Sequence, residues 1–396
     1  MASDLSGTAK SPTGYGSGGA GGGEYSSKKF CSPSAGANGY AAVIQVSKRG
    51  FDINSSLWVN NGGTVYPAHH LFNEHACSNG STTSISKMTL TVPKIKGSRT
   101  YNLNPLKIFT DNSGKYAEIN SSLSNGTYKV VGTKIYPSGS NDNLKLLINT
   151  NKTTIRDYYD TEGGSYPLAV TTKEGFQDGN SSTLDVALFT EAGYVYYILL
   201  QGAGGGGGGA DNEWKFLNYA SGGGGGGGGA ACVVKLDCSQ AHYCRIYVGQ
   251  AGSAGKTQTS GGTSGGSGGS TKLAVYLNDD NTQLAYEVTA GGGGGGGGGD
   301  DKTHGSGGHG GSVSKTYHAS PHDVTVLYEV SGGKGGTNGG GGNPSGSGSS
   351  SDTRSYTLCS TTLTIDTSTG SGGSAGSSDD KGGGGGGSWL GSGGYY

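Results

Sequence analysis

The sequence predicts an all-β fold, and three observations carry that expectation. No stretch repeats apolar residues at about 3.6-residue spacing between capping residues, so helix is not expected. Short alternating segments such as Met88 to Val92, Leu106 to Phe109, Tyr128 to Tyr136 and Leu144 to Ile148 lie between turns rich in Asn, Ser and Gly. From residue 183 onward, short strands rich in Val, Leu and Tyr alternate with runs of pure glycine.

The chain has 396 residues, enough for two domains, and its composition changes character partway along. Residues 1 to 50 read as a polar Gly/Ser-rich arm and docking segment, with one apolar stretch at Tyr40 to Val46. Residues 51 to 182 read as a β domain of ordinary composition, and residues 183 to 396 as a glycine-rich domain. Its expected strands are Leu184 to Leu200 with a turn at Glu191 to Gly193, Ala231 to Asp237, His242 to Val248, Thr271 to Leu277, Gln283 to Thr289, Asp323 to Val330 and Tyr356 to Ile365.

Glycine supplies 85 residues and proline only 9, without the Gly-X-Y period of collagen. Basic and acidic residues balance at 27 and 28, so no net field recruits nucleic acid or an anionic membrane. The longest apolar run, Tyr194 to Leu200, is far shorter than the ~20 residues of a spanning helix, so membrane insertion is not expected. The opening residues lack the basic and apolar regions of a secretory signal, which predicts cytoplasmic synthesis. Of the six cysteines, Cys238 and Cys244 flank an expected hairpin turn and are the candidate disulfide.

The glycine runs at Gly204 to Gly209, Gly222 to Gly229, Gly291 to Gly299, Gly339 to Gly342 and Gly382 to Gly387 are expected to be ordered. Flexible linkers interleave Ser, whereas these runs are pure and join directly to strands. Fixing each glycine costs about 1–2 kcal/mol with no side chain to bury, so backbone hydrogen bonds must hold the runs. In the extended geometry with three residues per turn, N–H and C=O groups point outward in three directions, and only glycine lets neighbours come close enough to satisfy them. Gly204, Gly225, Gly295 and Gly384 are therefore structural positions in this reading, and a Cβ at Gly295 should block packing.

The order of strand, glycine run, insert, glycine run and strand in LLQGAGGGGGGA, SGGGGGGGGAACVVKLDC, YCRIYVGQAGSAG, GGTSGGSGGST and EVTAGGGGGGGGG resembles the glycine-rich domain of bacteriophage tail-fibre and adhesin proteins. The resemblance covers residues 184 to 299 and implies packed polyglycine II helices whose inserts contact a bacterial surface receptor, glycan or outer-surface protein. The inserts are then Ala210 to Ser221, Asp300 to Val313 and Asn343 to Arg354. The receptor candidates are Trp214, Phe216 and Tyr219 in the first and His304 and His309 in the second. Exposed aromatic rings on loops suit sugars or protein partners, although capping the bundle would account for the same rings. The C-terminal SWLGSGGYY, with Trp389, Tyr395 and Tyr396, reads as a cap.

This makes the chain a non-enzymatic, virion-associated structural or adhesive protein, with other virion subunits as partners. A self-assembling subunit of an extracellular filament or sheath is the alternative. The glycine-rich stretch ending in Gly255, Lys256 and Thr257 imitates a phosphate-binding loop, but Gln250 stands where its first glycine belongs and no helix can follow. His69, His70, His75 and Cys77 have zinc-type ligands without a recognised spacing. Neither cofactor nor metal is expected.

Overall fold

The computed structural model describes residues 5–26, 29–47, 57–61, 64–67, 74–102, 106–111, 116–118, 126–131, 134–137, 144–148, 154–160, 168–174, 183–190, 192, 194–211, 221–277, 283–300, 303–319, 323–337, 351–355, 360–375 and 381–396. Among these there is no helix, and the fold is all-β.

Ten strands form two five-stranded antiparallel sheets: β1 (Tyr40–Ser47), β2 (Leu168–Glu174), β3 (Thr183–Phe189), β4 (Tyr194–Gln201), β5 (Ala231–Asp237), β6 (Tyr243–Gly249), β7 (Thr271–Tyr276), β8 (Leu284–Ala290), β9 (Val313–Tyr317) and β10 (Val324–Val330). The first sheet has the order β2-β1-β4-β5-β10 and the second β3-β6-β7-β8-β9. Val43, Ile198 and Val234 of the first face Ile246, Leu273 and Val288 of the second, making a sandwich core. The other face of the first sheet, with Ile44, Tyr197, Leu199 and Val233, packs on Met88, Leu90, Leu363, Ile365 and Trp389. The continuous apolar run of β4 follows from that: both of its faces are buried, so alternation gives way to unbroken hydrophobicity.

Met88 and Leu90 belong to an eight-stranded antiparallel sheet. It runs from Lys134–Pro137 through Gly126–Val131, Leu144–Ile148, Thr154–Asp160, Met88–Asn102 and Ser360–Ile365 to Ser351–Ser355, with Glu74–Ile85 also paired to Met88–Asn102. The sequence boundary at residue 182 is thus crossed by hydrogen bonds, because Met88–Asn102 pairs with Ser360–Ile365. The expected strand Tyr128 to Tyr136 is two strands that pair with each other, Gly126–Val131 and Lys134–Pro137.

Each sandwich strand that meets the glycine-rich stretches continues into a straight run without sheet pairing: β4 into 202–210, β6 into 250–257, β8 into 291–299 and β10 into 331–337, while 222–230, 261–270 and 304–312 lead back into β5, β7 and β9. The runs hold one another by backbone hydrogen bonds with a three-residue period. In 202–210, Gly202, Gly205 and Gly208 donate to 222–230, Ala203, Gly206 and Gly209 to 261–270, and Gly204 and Gly207 to 33–39, all at 2.8–3.0 Å. The same run accepts bonds from 16–22, 249–257 and 291–299. It therefore has six neighbours, three by donation and three by acceptance, which is the arrangement that three outward directions per turn demand.

The 222–230 run is enclosed in the same way, donating to 16–22, 291–299 and 331–337 and accepting from 202–210, 304–312 and 382–388. At the glycines of these two runs a Cβ has no room. One added at Gly204 would lie 1.9 Å from the Ser17 carbonyl oxygen, and one at Gly225 would lie 2.1 Å from that of Gly384.

Residues 16–22 and 33–39, expected to belong to a polar arm, are runs of this bundle, and Tyr40–Ser47 is the strand β1 beside β4. The signal was weak there because Ser17 and Ala20 interrupt the glycines. Both are buried, and Ser17 meets its needs by donating to the Thr13 carbonyl at 3.2 Å and pairing with the Ser388 hydroxyl at 3.2 Å.

The junction between sheet and bundle is made by Gln201 and Thr271, both fully buried. The two N–H groups of the Gln201 amide Nε2 are shared among the carbonyls of Gly202, Gly229 and Ala230 at 3.0–3.1 Å, while the Thr271 hydroxyl donates to the Gln201 carbonyl at 2.6 Å. Where the chain turns from sheet directions to bundle directions, these side chains add donors for the carbonyls beside those of the backbone.

Candidate functional site

At the end of the bundle away from the sandwich, three hairpins of glycine runs come together. Asp211 and Ser221 form an antiparallel bridge that closes the base of the first insert, and Asp211 also bridges in parallel to Gln258 at the turn between 250–257 and 261–270. Asp300 bridges to Thr303 at the third turn, and its carboxylate lies against Gly261, whose φ of +98° suits glycine alone. Side chains add to the closure: Ala210 N–H donates to the Thr257 hydroxyl at 3.2 Å, and Lys256 N–H to the Thr263 hydroxyl at 2.8 Å. The stretch that imitates a phosphate loop thus spends its threonine on the bundle.

Trp214, Phe216 and Tyr219 lie outside the described residues. His304 and His309 are exposed on the 304–312 run. That run leans on 222–230 through Gly305, Gly308 and Gly311, which fixes its three faces. His309 shares a face with Ser306, and His304 shares another with Gly307, so the two imidazoles point in different directions. The second insert is correspondingly shorter than Asp300 to Val313. Residues 304–312 are a run, because on the bundle rim one residue in three faces solvent and tolerates a side chain. Most of the third insert lies outside the described residues; Ser351–Ser355 is a strand paired with Ser360–Ile365.

Gly204 and Gly225 sit in the two enclosed runs, Gly295 in 291–299, and Gly384 accepts the Gly336 N–H at 2.8 Å. In the sandwich core Cys238 and Cys244 are side by side as buried thiols. Burial first, and then the neighbouring Cys238, push the Cys244 thiol up.

Cys232, in the same core, is pushed from its ordinary 9.0 to about 12 by burial, with Glu329 adding to the rise. The sign of the linkage follows. The unfolded thiol ionises near 9.0 and the folded one near 12, so stability from the neutral core thiol is full below pH 9 and declines as pH rises through that window. We expect Cys232 to resist alkylation at pH 8 in the folded protein and to react at once when denaturant is added, which mass spectrometry of iodoacetamide adducts will read.

A cluster that sequence spacing did not reveal closes the opposite end of the sandwich. Asp323 Oδ2 receives the Ser239 hydroxyl at 2.8 Å and lies 3.3 Å from Nε2 of the buried His242. Hydroxyl and imidazole bond the same carboxylate oxygen, and the serine-to-histidine bond of an activated nucleophile is not the one made. With Thr190 and His242 exchanging bonds at 2.8 and 3.1 Å, the group works as a clasp that ties the β5–β6 turn to β3 and β10.

Among the described residues no group of three or more His, Cys, Asp or Glu is placed to hold a metal, and no helix is long and apolar enough to cross a membrane. The side chains of His69, His70, His75 and Cys77 are outside the described set. No curated protein and no solved structure matches the chain. A family model described as a glycine-rich domain matches residues 178–395, which takes in most of the sandwich and bundle, and the chain belongs to that glycine-rich domain family.

Proposed function

We propose that the chain is an adhesive, non-enzymatic protein of a virion or extracellular assembly, with the glycine bundle as a stiff stalk and the loops at its far end as the receptor-binding surface. The observation that carries this reading is the meeting of three hairpin turns at one end of a backbone-bonded bundle, closed by the bridges of Asp211, Ser221, Gln258, Asp300 and Thr303. A bundle bonded chiefly through its backbone tolerates changes in the turns without changes in its packing, and that separation suits a surface that must vary. The first insert, with Trp214, Phe216 and Tyr219, offers rings to a glycan or a protein on a bacterial surface. The resemblance to tail-fibre domains supplies the virion setting.

The test replaces residues 212–220 with a Gly/Ser segment of equal length. The expected result is an unchanged thermal midpoint and loss of binding to susceptible cells. Retained binding by the replaced chain sinks the assignment of the loops.

A further inference from the structure

One run on the bundle rim departs from the composition of the others. Runs 250–257 and 331–337 carry a side chain at every third position, Gln250, Ser253 and Lys256 in one and Ser331, Lys334 and Thr337 in the other. The run 291–299 also lies on the rim, half-buried at two residues in three, and it is glycine throughout. At positions 292, 293, 295, 296 and 298 the chain's own packing accounts for that, since a Cβ would lie 1.9–2.1 Å from a neighbouring carbonyl oxygen. At Gly294 the nearest atom is the His309 nitrogen at 3.0 Å, and at Gly297 they are the Ser306 hydroxyl and nitrogen at 2.8 and 2.9 Å. The packing presses less there, and these positions border a groove between 291–299 and 304–312.

Both walls of the groove carry unused backbone groups. In 291–299 the N–H groups of 291, 294 and 297 go to 304–312 and those of 293, 296 and 299 to 202–210. The carbonyls of 291, 294 and 297 accept from 222–230 and those of 293, 296 and 299 from 261–270. Gly292, Gly295 and Gly298 are left over. Donor and acceptor directions alternate around such a run, so their carbonyls point beside 304–312. On the other wall the N–H groups of Ser306, His309 and Ser312 are unused, and the Ser306 and His309 nitrogens are the atoms that edge the groove at Gly297 and Gly294. Among the described residues none of these carbonyls and N–H groups has a partner.

The period of the two rows selects what can fill them. Each row repeats every three residues, about 9 Å. A β-strand presents like groups every two residues, about 6.6–6.8 Å, and falls out of step at once. An extended chain with three residues per turn stays in step, donating to one wall and accepting from the other. Neither wall carries a lysine, arginine or carboxylate, so the backbone rows and the space decide the partner. Two of every three positions of that chain turn their Cβ toward a wall and must be glycine, and the third faces solvent. Free glycine loses more conformational freedom than any other residue when it is fixed. Proline at the solvent-facing position presets the extended conformation and removes only an N–H that the groove does not need.

We propose that the groove between 291–299 and 304–312 binds an extended Gly-Pro-Gly-repeat segment of a partner protein, which joins the bundle as one more run, much as a peptide adds a strand to a sheet edge. The groove lies along the runs and not at the turns that close the far end of the bundle, so this assignment and that of the loops can fail separately.

The experiment titrates the full chain into a fluorescein-labelled peptide of four Gly-Pro-Gly repeats and reads fluorescence anisotropy. Saturable binding is expected. A peptide of four Gly-Pro-Ala repeats keeps the extended conformation but sets a Cβ against a wall, and is expected to bind at least about tenfold more weakly. Gly294→Ala sets a Cβ into the groove from the protein side and is expected to weaken binding to the same degree, with a thermal melt checking that the variant is folded. Amide exchange followed by NMR reads the unaltered chain. The Ser306 and His309 amides should exchange faster than those of Gly305 and Gly308, which donate to 222–230, and should slow when the Gly-Pro-Gly peptide is added. Absence of binding, or equal binding by the Gly-Pro-Ala peptide, overturns the proposal. So does concentration-dependent self-association that Gly294→Ala abolishes, because the groove would then belong to a second copy of the chain.

Discussion

Gly295→Ala is expected to destabilise the chain by more than about 4 kcal/mol, while Gly294→Ala, one residue earlier in the same run, is expected to stay within about 1 kcal/mol. The two glycines are both partly exposed and both lie in the unbroken run 291–299. They differ in where a Cβ would point. At Gly295 it would lie 2.0 Å from the Gly265 carbonyl oxygen and 2.6 Å from its carbon, so the neighbouring backbone would have to move away. That neighbour is held by Gly262, Gly265 and Gly268 donating into 291–299, bonds of 2.7–2.9 Å that would lengthen together. At Gly294 the nearest atom is the His309 nitrogen at 3.0 Å, with the His309 oxygen at 3.5 Å, and the 304–312 run lies on the rim with room to give.

Were the run a flexible linker, both substitutions would be neutral or slightly stabilising, since alanine lowers the entropy of the unfolded chain. Thermal melts of the two variants side by side separate the cases. Equal melting temperatures would show that lateral backbone packing does not hold this run.

The parts of this architecture that the sequence disclosed are those in which every residue is constrained. Ala231–Asp237 and Leu144–Ile148 have the bounds read from hydrophobic pattern alone, and all-β follows from the same pattern. The enclosed runs 202–210 and 222–230 were legible as ordered elements because six neighbours leave no position where a long side chain fits. Rim runs were not, since solvent takes one residue in three and the glycine signal is diluted. In 261–270 the diluting residues are Ser264, Ser267 and Ser270, with Thr263 beside the turn, and in 304–312 they are Ser306, His309 and Ser312, with His304 at the start. A non-glycine at every third position is the signal that would have found them. The strand Val313–Tyr317 escaped for a related reason: it is an edge strand, exposed almost throughout, so no face imposes alternation.

The candidate surfaces divide in the same way. That loops lie between glycine runs was readable; that three of the turns meet at one end was not, because Asp211, Gln258 and Asp300 are brought together only by the lateral order of the runs. The nine glycines of 291–299 marked an ordered run, yet which side of it was open depended on the placing of 261–270 and 304–312 beside it. Order of that kind is set by long-range pairing, which leaves little trace in the local pattern.

Trp389→Ala is expected to cost about 3–5 kcal/mol, and Trp389→Phe about 1–2 kcal/mol. The ring is 1% exposed and tilts against Tyr328 of β10 with centroids 4.8 Å apart, in the core that also holds Met88, Leu90, Leu363 and Ile365. Its indole N–H donates to the Asp366 carbonyl at 2.9 Å, just beyond the strand Ser360–Ile365, and the Lys87 ammonium sits 5.7 Å over its face. Lys87 has a φ of +63° at the turn between Glu74–Ile85 and Met88–Asn102, and its carbonyl accepts the Asp366 N–H at 2.8 Å. Trp389 follows the 382–388 run directly, so one side chain joins the bundle, the first sheet and the tip of the Lys87 hairpin. Truncation to alanine empties that shared core, whereas phenylalanine keeps most of the volume and gives up the bond to Asp366. Urea unfolding followed by far-ultraviolet circular dichroism gives the two costs. If both variants fall together by the smaller amount, the ring contributes its hydrogen bond and little packing, and the hairpin and bundle must be joined by other residues of the core.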